Sequence, residues 1–134
     1  MKLLLDTHIL LWAAGQPEKL SESTRTLLSS PENSLFFSAV SIWEIVIKLG
    51  LGREDFKVDP FRLRKLLVTH GYAELSVTAE HALKVISLPS LHKDPFDRLL
   101  LAQALSEGML LLTCDASVSQ YQESVLNVSQ GPHG

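Results

Sequence analysis

Cysteine is nearly missing from this chain: Cys114 stands alone among 134 residues. One thiol excludes an internal disulfide framework and a zinc site built on cysteines. Long apolar runs are missing as well, and no stretch approaches the ~20 residues that a membrane-spanning helix requires. The opening residues carry a single lysine and a short apolar run interrupted by Asp6 and His8. That pattern does not read as a signal peptide, so the expectation is a cytoplasmic protein without membrane contact. Neither charge sign dominates, and the formal net charge is -3. A general nucleic-acid coat, which neutralises phosphates along its whole surface, is therefore a poor fit. A nucleic-acid enzyme remains open, because a bound cation reverses the local sign of an acidic pocket.

What is present is ordinary globular material, 46% hydrophobic and 20% charged. A chain of this length buries roughly 68% of its unfolded surface, enough for one core. Residues 1–129 read as a single domain, and 130–134, with Gly131, Pro132 and Gly134, as a loose tail. Short apolar runs at 2–5, 35–38, 74–77, 109–113 and 125–128 suit strands. Helices are expected at 7–14, 21–30, 41–49, 60–70, 79–87, 95–106 and 116–121. Asp59-Pro60 and Asp94-Pro95 each supply an N-cap followed by proline at the first helical position. Alternation of short buried strands with helices predicts an α/β fold, a three-layer α/β/α sandwich around a mostly parallel sheet.

Four acids fall where an apolar run gives way to a helical pattern: Asp6, Glu44, Asp97 and Asp115. In a parallel α/β sheet such junctions gather at the carboxyl ends of the strands, where ligands bind. Carboxylates collected there repel; at about 5 Å and an effective dielectric near 20, each pair costs about 3 kcal/mol. A compensating cation is called for, and hard oxygen donors favour Mg2+ or Mn2+. Asp6 and Asp97 are the first choice for direct metal contact, with Glu44 and Asp115 acting directly or through water.

Each acid also has a plain structural use. Asp6 and Asp115 suit helix N-caps. Ser41-Ile42-Trp43-Glu44 matches a capping box, and Glu44 precedes Lys48 by four residues, the spacing of an ordinary surface ion pair. Asp94 reads as the cap of the following helix, which leaves Asp97 at its third position, where it complements the helix dipole. Lys93 and Arg98 are candidate phosphate contacts, with local salt bridging as the alternative. His8 and His92 flank the acids and read first as surface or hydrogen-bonded histidines. Lys48, Arg53, Lys57, Arg62, Arg64 and Lys65 form a basic stretch, either a solvated surface or a phosphate track.

Taken together, Leu4-Leu5-Asp6-Thr7-His8, Ser38-Ala39-Val40-Ser41-Ile42-Trp43-Glu44, the block from His92 to Ala104, and Leu112-Thr113-Cys114-Asp115 resemble the PIN-domain family. More closely, they resemble VapC-type toxins of type II toxin–antitoxin systems. The resemblance runs through nearly the whole chain, and residues 92–104 are its most specific part. It implies an α/β/α sandwich and a Mg2+- or Mn2+-dependent endoribonuclease. Asp6, Glu44 and Asp97 match the family's acidic triad, and Asp115 its more variable fourth acid. Thr7, Ser41 and Thr113 occupy positions of supporting hydroxyls. The partners implied are an RNA substrate, a cognate antitoxin and a second copy of the chain, as a homodimer or higher oligomer. Trp12, Trp43, Ile47 and Leu51 are candidates for the antitoxin groove, with core packing as the alternative for most of them.

Other functions fit less well. A receiver-like signalling domain needs an acidic pair after the first strand and a lysine after the last core strand, whereas Asp6 is followed by Thr7-His8. An aspartyl phosphatase needs Asp-x-Asp at the same place. Serine hydrolysis has no Gly-x-Ser-x-Gly elbow to work from. A catalytically silent PIN-like platform for RNA or assembly remains the alternative to the enzyme.

Overall fold

A computed structural model describes residues 1–91, 93–115, 118, 121 and 124–128. The chain runs β1 (Lys2–Leu5), α1 (Thr7–Gly15), α2 (Glu22–Ser29), β2 (Ser34–Ser38), α3 (Ala39–Gly50), α4 (Pro60–Thr69), β3 (Ala73–Leu75), α5 (Ala79–Lys84), α6 (Pro95–Glu107), β4 (Leu110–Thr113) and β5 (Val125–Asn127). Single 3-10 turns at Pro17–Lys19, Glu54–Phe56 and Val85–Ser87 join some of these elements. His92, the tail at 130–134 and most of the helix expected over 116–121 lie outside the described residues.

All five strands are parallel, in the order β3-β2-β1-β4-β5. The central strand explains why Leu3-Leu4-Leu5 is continuously apolar: it is covered on both faces. Leu3 and Leu5 join Leu112, Ile9, Leu10, Leu63 and Leu67 in one core cluster. Leu4 joins Leu111, Leu100 and Leu101 in the other. Thus α1 and α4 cover one face and α6 the other, which gives the expected α/β/α sandwich. Helix α3 contributes Ile45 to the first cluster and Val40 to the second, so it straddles both layers.

Helix starts follow their caps closely. Asp59 accepts from the backbone N–H groups of Phe61 and Arg62, and Asp94 from those of Phe96 and Asp97. Gly108, at φ 67°, closes α6 in the left-handed region that favours glycine. One start differs from expectation: α3 begins at Ala39, capped by the Ser38 hydroxyl on Val40 N. Ser41 and Glu44 are therefore inside the helix, and the capping box read from their spacing does not form. A cap three residues earlier frees the Glu44 side chain to turn toward α1. No helix among the described residues is long and apolar enough to cross a membrane.

Candidate active site

The strand order reverses around β1. Its chain continues to β2 on one side, and β4 arrives on the other after the excursion through β2 and β3. A crevice opens at the carboxyl ends of such a pair. The β1–β4 register places Leu5 opposite Leu112, so the next residues, Asp6 and Thr113, meet at the rim. Asp6 N donates to Leu112 O at 3.0 Å, and the Thr113 hydroxyl donates to Asp6 Oδ2. Asp6 Oδ1 accepts from Ile9 N at 2.9 Å, the N-cap bond of α1. Capping and pocket placement are thus two uses of one side chain.

A cavity of about 350 Å³ lies over this rim, lined by Asp6, Thr7, His8, Trp12, Glu44, Lys48, Asp94, Asp97, Cys114 and Asp115. All four acids read from the sequence line it, and each comes from a different part of the chain. Burial raises the Asp6 carboxyl to about 6; the bonds from Thr113 and Ile9 oppose the rise, while the charge of Asp97 adds to it. A neighbouring carboxylate that disfavours the ionisation of Asp6 is what a cation would relieve. Asp97 sits in the first turn of α6, held behind the Asp94 cap. Asp115 is exposed, with its N–H donating to Thr113 Oγ1 at 3.0 Å.

Glu44 is 3% exposed and fully engaged. Thr7 donates its hydroxyl to Glu44 Oε1 at 2.6 Å, with Ser41 Oγ 3.0 Å from the same Thr7 oxygen. Lys48 Nζ holds Oε2 at 2.5 Å. The expected Glu44–Lys48 surface pair is instead half-buried, with the Phe56 and Phe96 rings beside the ammonium from outside α3. Thr7, Ser41 and Thr113 are all buried against acids or one another, as supporting hydroxyls would be.

Among the described residues, no three acidic, cysteine or histidine side chains close into a ready-made metal cage. The donor set suits a cation that keeps most of its water and binds through one or two carboxylates, which is the habit of Mg2+. Cys114 lines the cavity, where burial and the nearby carboxylates Asp6 and Asp115 push its thiol up, away from the thiolate form.

The basic candidates separate. Neither Lys93 nor Arg98 is among the described lining residues. Arg98 donates to Pro89 O, Val85 O and the Tyr121 hydroxyl. One residue beyond Asp97 on a helix is a rotation of about 100°, which carries Arg98 away from the acids. In the basic stretch, Arg53 pairs with Asp55, Lys57 with Glu54 and Arg64 with Glu74. Those three are bound to carboxylates at the surface and do not make a free phosphate track. His8 lines the cavity while reaching Asp55 at 3.4 Å and packing on Trp12 and Phe56. Lys48 was the residue that spacing alone concealed: the i,i+4 signal was visible, but its aromatic cover comes from distant segments.

The PIN domain family model matches residues 3–123. The ribonuclease VapC22 of Mycobacterium tuberculosis is 26% identical over 121 residues, spanning 90% of this chain and 92% of its own length. Among solved structures, VapBC2 from Rickettsia felis, bound to a DNA fragment from its promoter, aligns with a TM-score of 0.68 at 16% identity, covering 96% of this chain and 100% of that one. VapBC-1 from nontypeable Haemophilus influenzae aligns with a TM-score of 0.60 at 19% identity, covering 95% and 98%. At these identities the structures speak for a shared fold.

Proposed function

This chain belongs to the PIN domain family, and from that premise we propose that it is a divalent-metal-dependent endoribonuclease serving as the toxin of a toxin–antitoxin pair. The observation that carries the reading is the meeting of Asp6, Glu44, Asp97 and Asp115 on one cavity at the carboxyl ends of β1 and β4. The similarity to a ribonuclease VapC and to VapBC complexes supports the substrate class and the partner.

Asp6 and Asp97 would hold Mg2+ or Mn2+, since the charge of Asp97 opposes the ionisation of Asp6 and both offer hard oxygens. Such an ion supplies Lewis acidity, acidifying water and offsetting charge on the phosphoryl oxygens. Thr113 and Ile9 N fix the Asp6 carboxylate, while Thr7 fixes Glu44. Glu44, with both oxygens engaged, acts through its neighbours and water; Asp115, at the exposed rim, faces incoming substrate. Hydrolysis needs no covalent nucleophile from the chain.

An antitoxin and a second copy of the chain complete the reading. A groove of about 780 Å³ runs from α1 past Glu54, Asp55 and Val58 to α4 and shares His8 and Trp12 with the acidic cavity. A segment seated there would lie beside the acids. Trp43 and Leu51, 58% and 74% exposed, offer further apolar contact. Exposed Leu83 and Ile86 supply an apolar face for homodimerisation. The reading is tested by incubating the protein with RNA in Mg2+ or Mn2+, then with EDTA, then with the antitoxin. Cleavage abolished by either addition is expected; intact RNA under every condition would leave the silent platform in its place.

A further inference from the structure

Lys48 is the one lysine or arginine among the described residues lining the acidic cavity. Its side chain is 17% exposed, and the ammonium lies 2.5 Å from Glu44 Oε2. The Phe56 and Phe96 ring centroids stand 4.8 and 5.7 Å from Nζ. These faces hold the cation by its charge, and among the described residues Glu44 is its oxygen partner. Phe96 immediately precedes Asp97, so the ring steadies Lys48 from the same first turn of α6 that presents an acid to the cavity.

Glu44 has a second anchor besides Lys48, the Thr7 hydroxyl that donates to its other oxygen from the buried side. An ammonium placed so is more than a neutralising partner. Building on the nuclease reading, we propose that Lys48 is a substrate-binding residue, which donates to a phosphate oxygen of single-stranded RNA entering the cavity while retaining Glu44. It would supply a positive contact within the cavity, which Arg53, Lys57, Arg64 and Arg98 do not line.

The test uses the full chain carrying Asp97→Asn, so that RNA stays intact, with a labelled single-stranded RNA and Mg2+ present. Binding is followed by fluorescence anisotropy across a salt series. Adding Lys48→Met should weaken binding about tenfold, as loss of a charged hydrogen bond does. It should also lower the salt slope by about 0.7, the loss of one phosphate contact. Lys48→Arg, which keeps the charge, should retain most of the affinity. Glu44→Gln combined with Lys48→Met removes both partners, so no buried charge is stranded and folding is protected. That double variant should bind as weakly as Lys48→Met. Affinity and slope unchanged in Lys48→Met, or restored in the double variant, would overturn the assignment and leave Lys48 a neutralising partner of Glu44. Wild-type protein that neither cuts nor binds RNA would instead overturn the nuclease reading, and the Lys48 assignment with it.

Discussion

The Thr7 hydroxyl donates to Glu44 Oε1 at 2.6 Å, joining residues 37 apart in sequence across the α1–α3 contact. Both side chains are buried, so the bond replaces water that neither could otherwise recover. Thr7→Val keeps the shape and strands a carboxylate oxygen, a loss of about 1–3 kcal/mol. Thr7→Ser keeps the donor. We expect Thr7→Val to lower the urea midpoint and the cleavage rate together, with Thr7→Ser close to wild type on both. A Thr7→Val protein matching wild type in stability would show that the bond contributes nothing.

Asp6 gives the metal-free protein a pH dependence of defined sign. Its folded-state value, about 6, lies above its ordinary value of 3.8, chiefly through burial. The fold therefore favours the protonated carboxyl. Its contribution is complete below the ordinary value and is lost as pH rises through about 6, amounting to about 3 kcal/mol. In EDTA, wild type should lose stability relative to Asp6→Asn between about pH 4 and about pH 6, with little further change above about pH 7. Parallel denaturation curves for the two proteins over that range would contradict this.

Cation binding should reverse the same penalty. At neutral pH, Mg2+ or Mn2+ at about 100 times its dissociation constant should stabilise wild type by about 2.7 kcal/mol. Asp6→Asn and Asp97→Asn, each with one carboxylate gone, should show a much smaller rise in melting temperature. An equal rise in all three proteins would place the ion elsewhere.

The fold was readable because local signals agreed with it. Leucine runs at β1 and β4 are apolar at every position since helices cover both faces, and the Asp-Pro pairs mark the starts of α4 and α6 without ambiguity. The start of α3 was misread because Ser38 and Ser41 are both plausible caps, and only the chain's exit from β2 decides between them. Asp6 and Asp115 follow β1 and β4 as their apolar runs suggest, and the β1–β4 register sets Asp6 beside Thr113. Glu44 and Asp97 do not sit at strand-to-helix junctions: Glu44 lies inside α3, and α6, which carries Asp97, follows α5. Lys48 and Arg98 were not legible. Spacing made Lys48 a surface partner, whereas Phe56 and Phe96 from distant segments flank its half-buried ammonium. Sequence adjacency drew Arg98 toward Asp97, whereas helical rotation sends it to Pro89 and Tyr121.

The central claim is that this acidic cavity cuts RNA through a divalent cation held by Asp6 and Asp97. Its most direct test is the single-turnover cleavage rate of RNA in Mg2+ or Mn2+, measured for wild type and Asp97→Asn, with their far-ultraviolet circular dichroism compared. Cleavage by wild type that EDTA removes is expected, and none by an equally folded Asp97→Asn protein. Full metal-dependent cleavage by Asp97→Asn would contradict the claim.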